Sequence, residues 1–145
     1  MSRDAALDDV RVAFGELFAA QRRLRGREQG RHGRLSWAQI NALALLAEQG
    51  EATPGAIAKH AELTPASVTG MLDALERDGI VARRRSSEDR RVVLVSLTEH
   101  GRELLEERRA RWRERWQDAL EGLSEDQIGA TTIAMRRMAA LLDEM

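Results

Sequence analysis

Two Thr-Pro steps, Thr53-Pro54 and Thr64-Pro65, stand eleven residues apart and limit what this chain can fold into more than any other feature. In each, a hydroxyl able to accept from first-turn amides directly precedes a proline. The proline's missing N–H costs nothing at the first helical position, so each step marks a helix start. Starts this close leave room for one short helix, from Pro54 to about Ala61, with a turn at Glu62 and Leu63. A second helix then runs from Pro65 to Asp78, where Gly79 stops it at a C′ position. The arrangement is a helix-turn-helix.

The second of these helices has two faces that spacing alone separates. Val68, Met71, Leu72 and Leu75 recur at helical intervals and form a core stripe. Opposite lie Ala66, Gly70, Asp73, Ala74 and Arg77, flanked by Ser67 and Thr69. A solvated face would favour Glu, Lys and Gln. Small side chains, with a mid-helix glycine costing about 1 kcal/mol relative to alanine, point instead to close approach to another surface.

After Gly79 the period changes. Ile80-Val81-Ala82 leads into Arg83-Arg84-Arg85, Ser86 to Arg90 supplies turn chemistry, and Arg91 to Leu97 is rich in β-branched residues, so a hairpin is expected over 81–97. Between Arg77 and Arg91 six arginines stand against Asp78, Glu88 and Asp89, a local net of +3 in a chain whose formal total is −1. A basic hairpin beside a helix-turn-helix has the electrostatic character that suits a phosphate backbone.

The flanks are helical. Leu7, Val10, Phe14, Leu17, Gln21 and Leu24 step by three and four through a helix that reaches about Glu28, with Arg22, Arg23, Arg25 and Arg27 near its C-terminal end and Gly30, His32 and Gly33 breaking it. Ser36 with Gln39 forms a capping box for a scaffold helix ending at Gly50. Beyond the hairpin, Thr98 caps a long charged helix from Glu99 to about Glu121. Its Leu105, Trp112, Trp116, Ala119 and Leu123 follow a near-heptad seam. Ser124 and Gln127 cap a last helix striped by Ile128, Met135, Met138, Leu142 and Met145. Two terminal segments therefore carry apolar seams larger than a small helix-turn-helix can cover, and the simplest cover is a second copy of the chain. The expected division is 1–34 for an N-terminal dimerisation helix and linker, 35–98 for the helix-turn-helix with its hairpin, and 99–145 for C-terminal dimerisation helices.

Composition narrows the function classes. Apolar residues at 43% and charged residues at 32% fit a helix-rich globule, and the absence of cysteine excludes both a disulfide framework and a thiol switch. A sequence pI near 6.3 argues against a general nucleic-acid coat, so binding would be local. With no long apolar run and no signal-peptide pattern, a cytoplasmic protein without a membrane partner is expected. His32, His60 and His100 lack the neighbouring ligands a metal site needs, and no phosphate-binding glycine loop or nucleophile elbow is present. No metal, cofactor or catalytic residue is assigned, and an enzyme is not expected.

The segment from Leu35 to Gly50, the helix-turn-helix, and Asp89, Arg91, Leu97 and Thr98 at the spacing D-x-R-x-x-x-x-x-L-T together resemble the MarR family of winged-helix transcription regulators. The resemblance covers essentially the whole chain. It implies a mainly α fold with a small β-hairpin wing, a winged helix-turn-helix core and N- and C-terminal dimerisation helices. It also implies a homodimeric repressor on a pseudo-palindromic double-stranded DNA operator, released in many members by a small-molecule effector. The helix over 65–78 would enter the major groove and the wing the flanking minor groove.

Carried onto this sequence, the DNA-binding residues are Thr64, Ala66, Ser67, Thr69, Gly70, Arg77, Arg84, Asp89, Arg90 and Arg91. Arg91 would reach DNA, while Asp89 would hold the tip by pairing with an arginine such as Arg85 or Arg90; the alternative is that Arg91 pairs with Asp89 and never meets DNA. Asp73 would accept from a cytosine or pair with Arg77. Members often have a long basic side chain in mid recognition helix where this chain has Gly70 and Ala74, so specificity shifts toward Ser67, Thr69, Arg77 and DNA shape. The family's effector pocket makes Phe14, Phe18, Trp37 and Trp112 the ligand candidates. The alternative function is a winged helix used for protein contacts without DNA binding. Its tip would be expected to be apolar or aromatic rather than to carry Arg90 and Arg91.

Overall fold

A computed structural model describes residues 2–28 and 35–145; the expected break at Gly30, His32 and Gly33 lies outside them. The elements follow in the order α1 (Arg3–Glu28), α2 (Trp37–Gln49), β1 (Glu51–Ala52), α3 (Pro54–Ala61), α4 (Pro65–Arg77), β2 (Val81–Arg85), β3 (Val93–Leu97), α5 (Glu99–Ala119) and α6 (Glu125–Asp143). Two compact units form, Met1–Leu105 and Glu106–Met145.

In the first unit both Thr-Pro steps work as anticipated. Thr53 accepts from the Ala56 amide and Thr64 from the Ser67 amide, each at 3.2 Å. The turn between α3 and α4 places Glu62 in the left-handed region at φ 54°, ψ 46°, a conformation that costs a non-glycine residue roughly 1 kcal/mol or more. The Leu63 amide bonds back to the Ala58 carbonyl at 2.9 Å and holds that turn closed. Helix α4 ends at Arg77 with Asp78 as its cap. The Gly79 amide then reaches the Glu76 carbonyl at 3.0 Å and the Ile80 amide the Leu75 carbonyl at 2.9 Å. These two bonds are a Schellman motif, which needs the φ of +70° that Gly79 supplies. Buried Ile80 leads directly into β2.

The hairpin is part of a three-stranded sheet in the order β1-β3-β2. The two-residue β1, which local pattern does not reveal, pairs antiparallel with β3 through Glu51 opposite Ser96 and Ala52 opposite Val95. Strand β3 pairs with β2 from Val81 opposite Leu97 to Arg85 opposite Val93. The core lies where α2, α3 and α4 meet this sheet, with Leu43, Leu46, Ile57, Leu72, Leu75 and Val95 nearly or wholly excluded from solvent. Leu105 of α5 completes it.

The start of α5 is fastened to the root of the wing. Thr98 Oγ1 accepts from the Gly101 amide at 3.0 Å and lies 2.6 Å from the Gly79 carbonyl oxygen, to which it donates. The Thr98 amide donates to the Ile80 carbonyl at 3.1 Å. The Leu-Thr end of the signature is thus a structural joint, with Leu97 in the core and Thr98 capping the helix. Gly101 is required there, because a Cβ at this position would lie 2.1 Å from the Ile80 carbonyl oxygen.

In the second unit Ser124 and Gln127 form the expected capping box. Trp112 and Trp116 meet edge to face at 6.4 Å. Within α6 no residue is buried, and Ile128, Ile133, Met135 and Leu142 are exposed. Exposed Leu7, Val10 and Leu17 do the same for α1. Among the described residues no helix is long and apolar enough to cross a membrane.

Candidate nucleic-acid interface

The two faces of α4 separate as the spacing requires. Val68, Leu72 and Leu75 are buried and Met71 packs against the core, while Ala66, Ser67, Thr69, Gly70, Asp73 and Arg77 are exposed and Ala74 is half-buried. A Cβ built on Gly70 would meet no heavy atom within 4 Å, so no packing among the described residues accounts for this glycine. The hydroxyls on this surface are partly committed. Thr64 Oγ1, besides capping, donates to Ser67 Oγ at 2.8 Å, and Thr69 Oγ1 donates to the Pro65 carbonyl at 3.0 Å. The Ser67 hydroxyl and the Arg77 guanidinium remain as the donors this face can offer outward.

Charge in the wing is less uniform than the sequence window suggests. Neighbouring residues of a strand point to opposite faces, and here both faces of β2 bind carboxylates brought from elsewhere. Arg83 turns toward α4. Its Nη2 donates to Asp73 Oδ1 at 2.7 Å and to Glu76 Oε1 at 3.2 Å, and its Nε donates to Glu76 Oε2 at 3.0 Å. Arg84 turns the other way and grips Glu51 of β1 with two bonds of 2.8 Å, from Nε and Nη2. The hydrogen bonds from Arg83 and Arg84 hold Glu76 and Glu51, respectively, below the usual carboxylate range. Glu51, Asp73 and Glu76 lie outside the window between Arg77 and Arg91. Counting them cancels its local net of +3.

What remains basic is the tip. Asp89 orders it: Oδ1 accepts from the Arg91 amide at 3.0 Å and from Arg91 Nε at 3.1 Å, and Oδ2 accepts from Nη2 at 3.2 Å. These bonds hold the Asp89 carboxyl below its ordinary value, the side-chain bond first and the amide second. The partner of Asp89 is therefore Arg91, not Arg85 or Arg90; Arg85 instead donates to the Arg90 carbonyl at 2.9 Å. Although paired, the Arg91 side chain is 91% exposed. Arg77, Arg85 and Arg90 meet no carboxylate among the described residues.

Most sequence-assigned residues thus come together on one unit: Thr64, Ala66, Ser67, Thr69, Gly70 and Arg77 on α4, and Asp89, Arg90 and Arg91 at the tip. Arg84 is committed to Glu51, and Asp73 pairs with Arg83 rather than Arg77. Sequence reasoning passed over Arg83 and Glu51. The signal for Arg83 was present, since Asp73 and Glu76 sit one turn apart on the helix just before an arginine-bearing strand. Trp37 lines an open pocket of about 510 Å³ with Arg25, Asn41, His60, Glu62 and Leu63. Phe14 and Phe18 contact each other on α1 at 4.8 Å and are not among its walls, and Trp112 belongs to the second unit.

The MarR family model matches residues 35–93. The uncharacterized HTH-type transcriptional regulator Mb0904 of Mycobacterium bovis is 37% identical over 111 residues, which span 76% of this chain and 77% of Mb0904. The HTH-type transcriptional repressor YetL of Bacillus subtilis is 40% identical over 75 residues; the match spans half of this chain and 45% of YetL. Among solved structures, the transcriptional repressor CouR, bound to a 23-mer DNA duplex, superposes with a TM-score of 0.63 at 30% identity over 74% of this chain and 75% of CouR.

Proposed function

Because this chain belongs to the MarR family, we propose that it is a homodimeric, DNA-binding transcriptional repressor that lays α4 in the major groove and sets the wing tip on the flanking minor groove. The observation that carries this reading is the outward face of α4: small side chains around a Gly70 whose outward side no atom of the described residues crowds, beside a tip whose arginines point into solvent. Close approach to a duplex explains the first, and phosphate or minor-groove contact the second. The similarity to CouR supports the DNA partner, and YetL supports repression. The exposed apolar stripes of α1 and α6 support a second copy as the partner that covers them. Of the effector candidates Trp37 has the strongest case, since its pocket is of a volume that small ligands occupy.

The test is selection of a duplex from random sequence by the wild-type protein, followed by titration with Gly70→Leu. Position 70 is exposed and a Cβ there meets no atom of the described residues within 4 Å, so leucine should leave the fold intact while blocking entry to the groove, and operator binding should be lost. Retained affinity would show that this face of α4 does not enter DNA, and failure to select any duplex would refute the DNA-binding reading as a whole.

A further inference from the structure

We propose that Arg83, which carries no sequence-level assignment, is a positioning residue for DNA recognition: it fixes the wing against the recognition helix without itself touching DNA. This rests on the DNA-binding reading above. The geometry is a three-point clamp. One guanidinium from β2 makes a two-bond fork with Glu76 and a third bond with Asp73, both on α4 and separated by one helical turn. A planar fork of fixed spacing sets orientation as well as distance, which a single ammonium cannot do. Arg83 is also the least exposed arginine among the wing's ion pairs, with 28% of its side chain accessible against 52% for Arg84 and 91% for Arg91. Its charge is satisfied within the protein, and its guanidinium gains further preference for the ionised form from Glu76 and then Asp73.

The clamp joins the two elements whose relative placement decides whether base and backbone contacts can be made together. Helix α4 and the root of the wing also share the core through Leu72, Leu75 and Val81 and are joined by the Schellman turn at Gly79, whereas the outer part of β2, paired with β3, meets α4 through the Arg83 side chain. Arg83 lies midway along that strand, where it ties the strand to the middle of the helix. Loss of the clamp would let the wing tip sample positions from which Arg90 and Arg91 miss the duplex.

Charge-changing variants separate positioning from electrostatics because they act in opposite senses. Arg83→Met removes a positive charge and Glu76→Gln removes a negative one. If these residues acted through net charge, the first would weaken and the second would strengthen binding to the selected duplex. Positioning requires both to weaken it, Arg83→Met by about tenfold, with the double variant no worse than Arg83→Met alone, since Arg83→Met already removes every bond of the clamp while Glu76→Gln leaves the one to Asp73. The slope of log K against log salt should stay at the wild-type value for Arg83→Met, whereas loss of a phosphate contact flattens it by about one per contact.

Arg83→Lys keeps the charge and guards against a misfolded Met variant. It should still bind more weakly than wild type at unchanged slope, because Lys cannot reproduce the fork. Stronger binding by Glu76→Gln, a flattened slope for Arg83→Met, or wild-type affinity for Arg83→Lys would each overturn the proposal. A wild-type chain that selects no duplex would instead overturn the DNA-binding reading on which it rests.

Discussion

Replacing Gly101 by alanine should destabilise the protein, while the same replacement at Gly70 should stabilise it, although both glycines lie within helices. At Gly101 the new Cβ would lie 2.1 Å from the Ile80 carbonyl oxygen and 3.1 Å from its carbonyl carbon. Carbon-to-oxygen contacts ordinarily begin near about 3.3 Å, so the first turn of α5 must move away by more than about 1 Å. The carbonyl cannot simply turn aside, because it accepts from the Thr98 amide at 3.1 Å and, at the same distance, shares the Thr98 hydroxyl proton with the Gly79 carbonyl.

Overpacking of this kind costs about 1–3 kcal/mol, and weakening two of the Thr98 hydrogen bonds adds about 1 kcal/mol each. Alanine's better helix propensity returns at most about 1 kcal/mol, leaving a net loss of about 2–4 kcal/mol. For a chain of this size that corresponds to a fall in Tm of roughly 6–12 °C. At Gly70, where an added Cβ would crowd no atom of the described residues, only the propensity gain operates, and Tm should rise by about 2 °C. Thermal melts followed by circular dichroism, with all variants at one protein concentration, measure both. An unchanged or raised Tm for Gly101→Ala would refute the close-approach argument.

Four further outcomes follow from the same geometry. If the stripes of α1 and α6 are covered by a second copy, Tm should rise with protein concentration and sedimentation should give a dimer at micromolar concentration; a monomer whose melting does not change on dilution would refute this. Arg91→Ala should weaken DNA binding and, if the contact is to phosphate, flatten the salt dependence by about one unit per subunit. Asp89→Ala should also weaken binding despite its added positive charge, because the tip loses the bonds that order it; stronger binding would show that the Asp89 pair has no ordering role. Arg84 depresses the folded-state pKa of Glu51, so the pair's contribution is complete above the unfolded carboxylate pKa and is lost as pH falls through the folded value. The Tm difference between wild type and Glu51→Gln should therefore stay constant from about pH 7 to 5 and shrink below about pH 4. A difference that vanished by pH 6 would contradict the assignment.

Much of the architecture could be read locally. The helix starts at Pro54 and Pro65, the capping boxes at Ser36 and Ser124, the stop at Gly79 and the buried stripe of α4 all depend on hydrogen bonds or side-chain spacings within a few residues. Such features survive in a linear reading because the groups that decide them are neighbours in the chain. The outward face of α4 was legible for the same reason. The two-residue β1 was not, since it has no periodicity of its own and exists only because β3 pairs with it.

What the sequence by itself determined, then, is which segments become helix, turn and hairpin, and which faces of them are small, apolar or basic. What only the tertiary structure decided is how the arginines are used. Arg84 meets Glu51 across 33 residues, Arg83 meets Asp73 across 10, and Gly101 meets the Ile80 carbonyl across the joint between wing and helix. An ion pair forms when two side chains converge in space, and the window that counted six arginines contained none of the three carboxylates that two of those arginines bind. Among the wing's ion pairs, that of Asp89 and Arg91, two residues apart, forms from local geometry, and it lies at the tip, where the exposed positive charge remains.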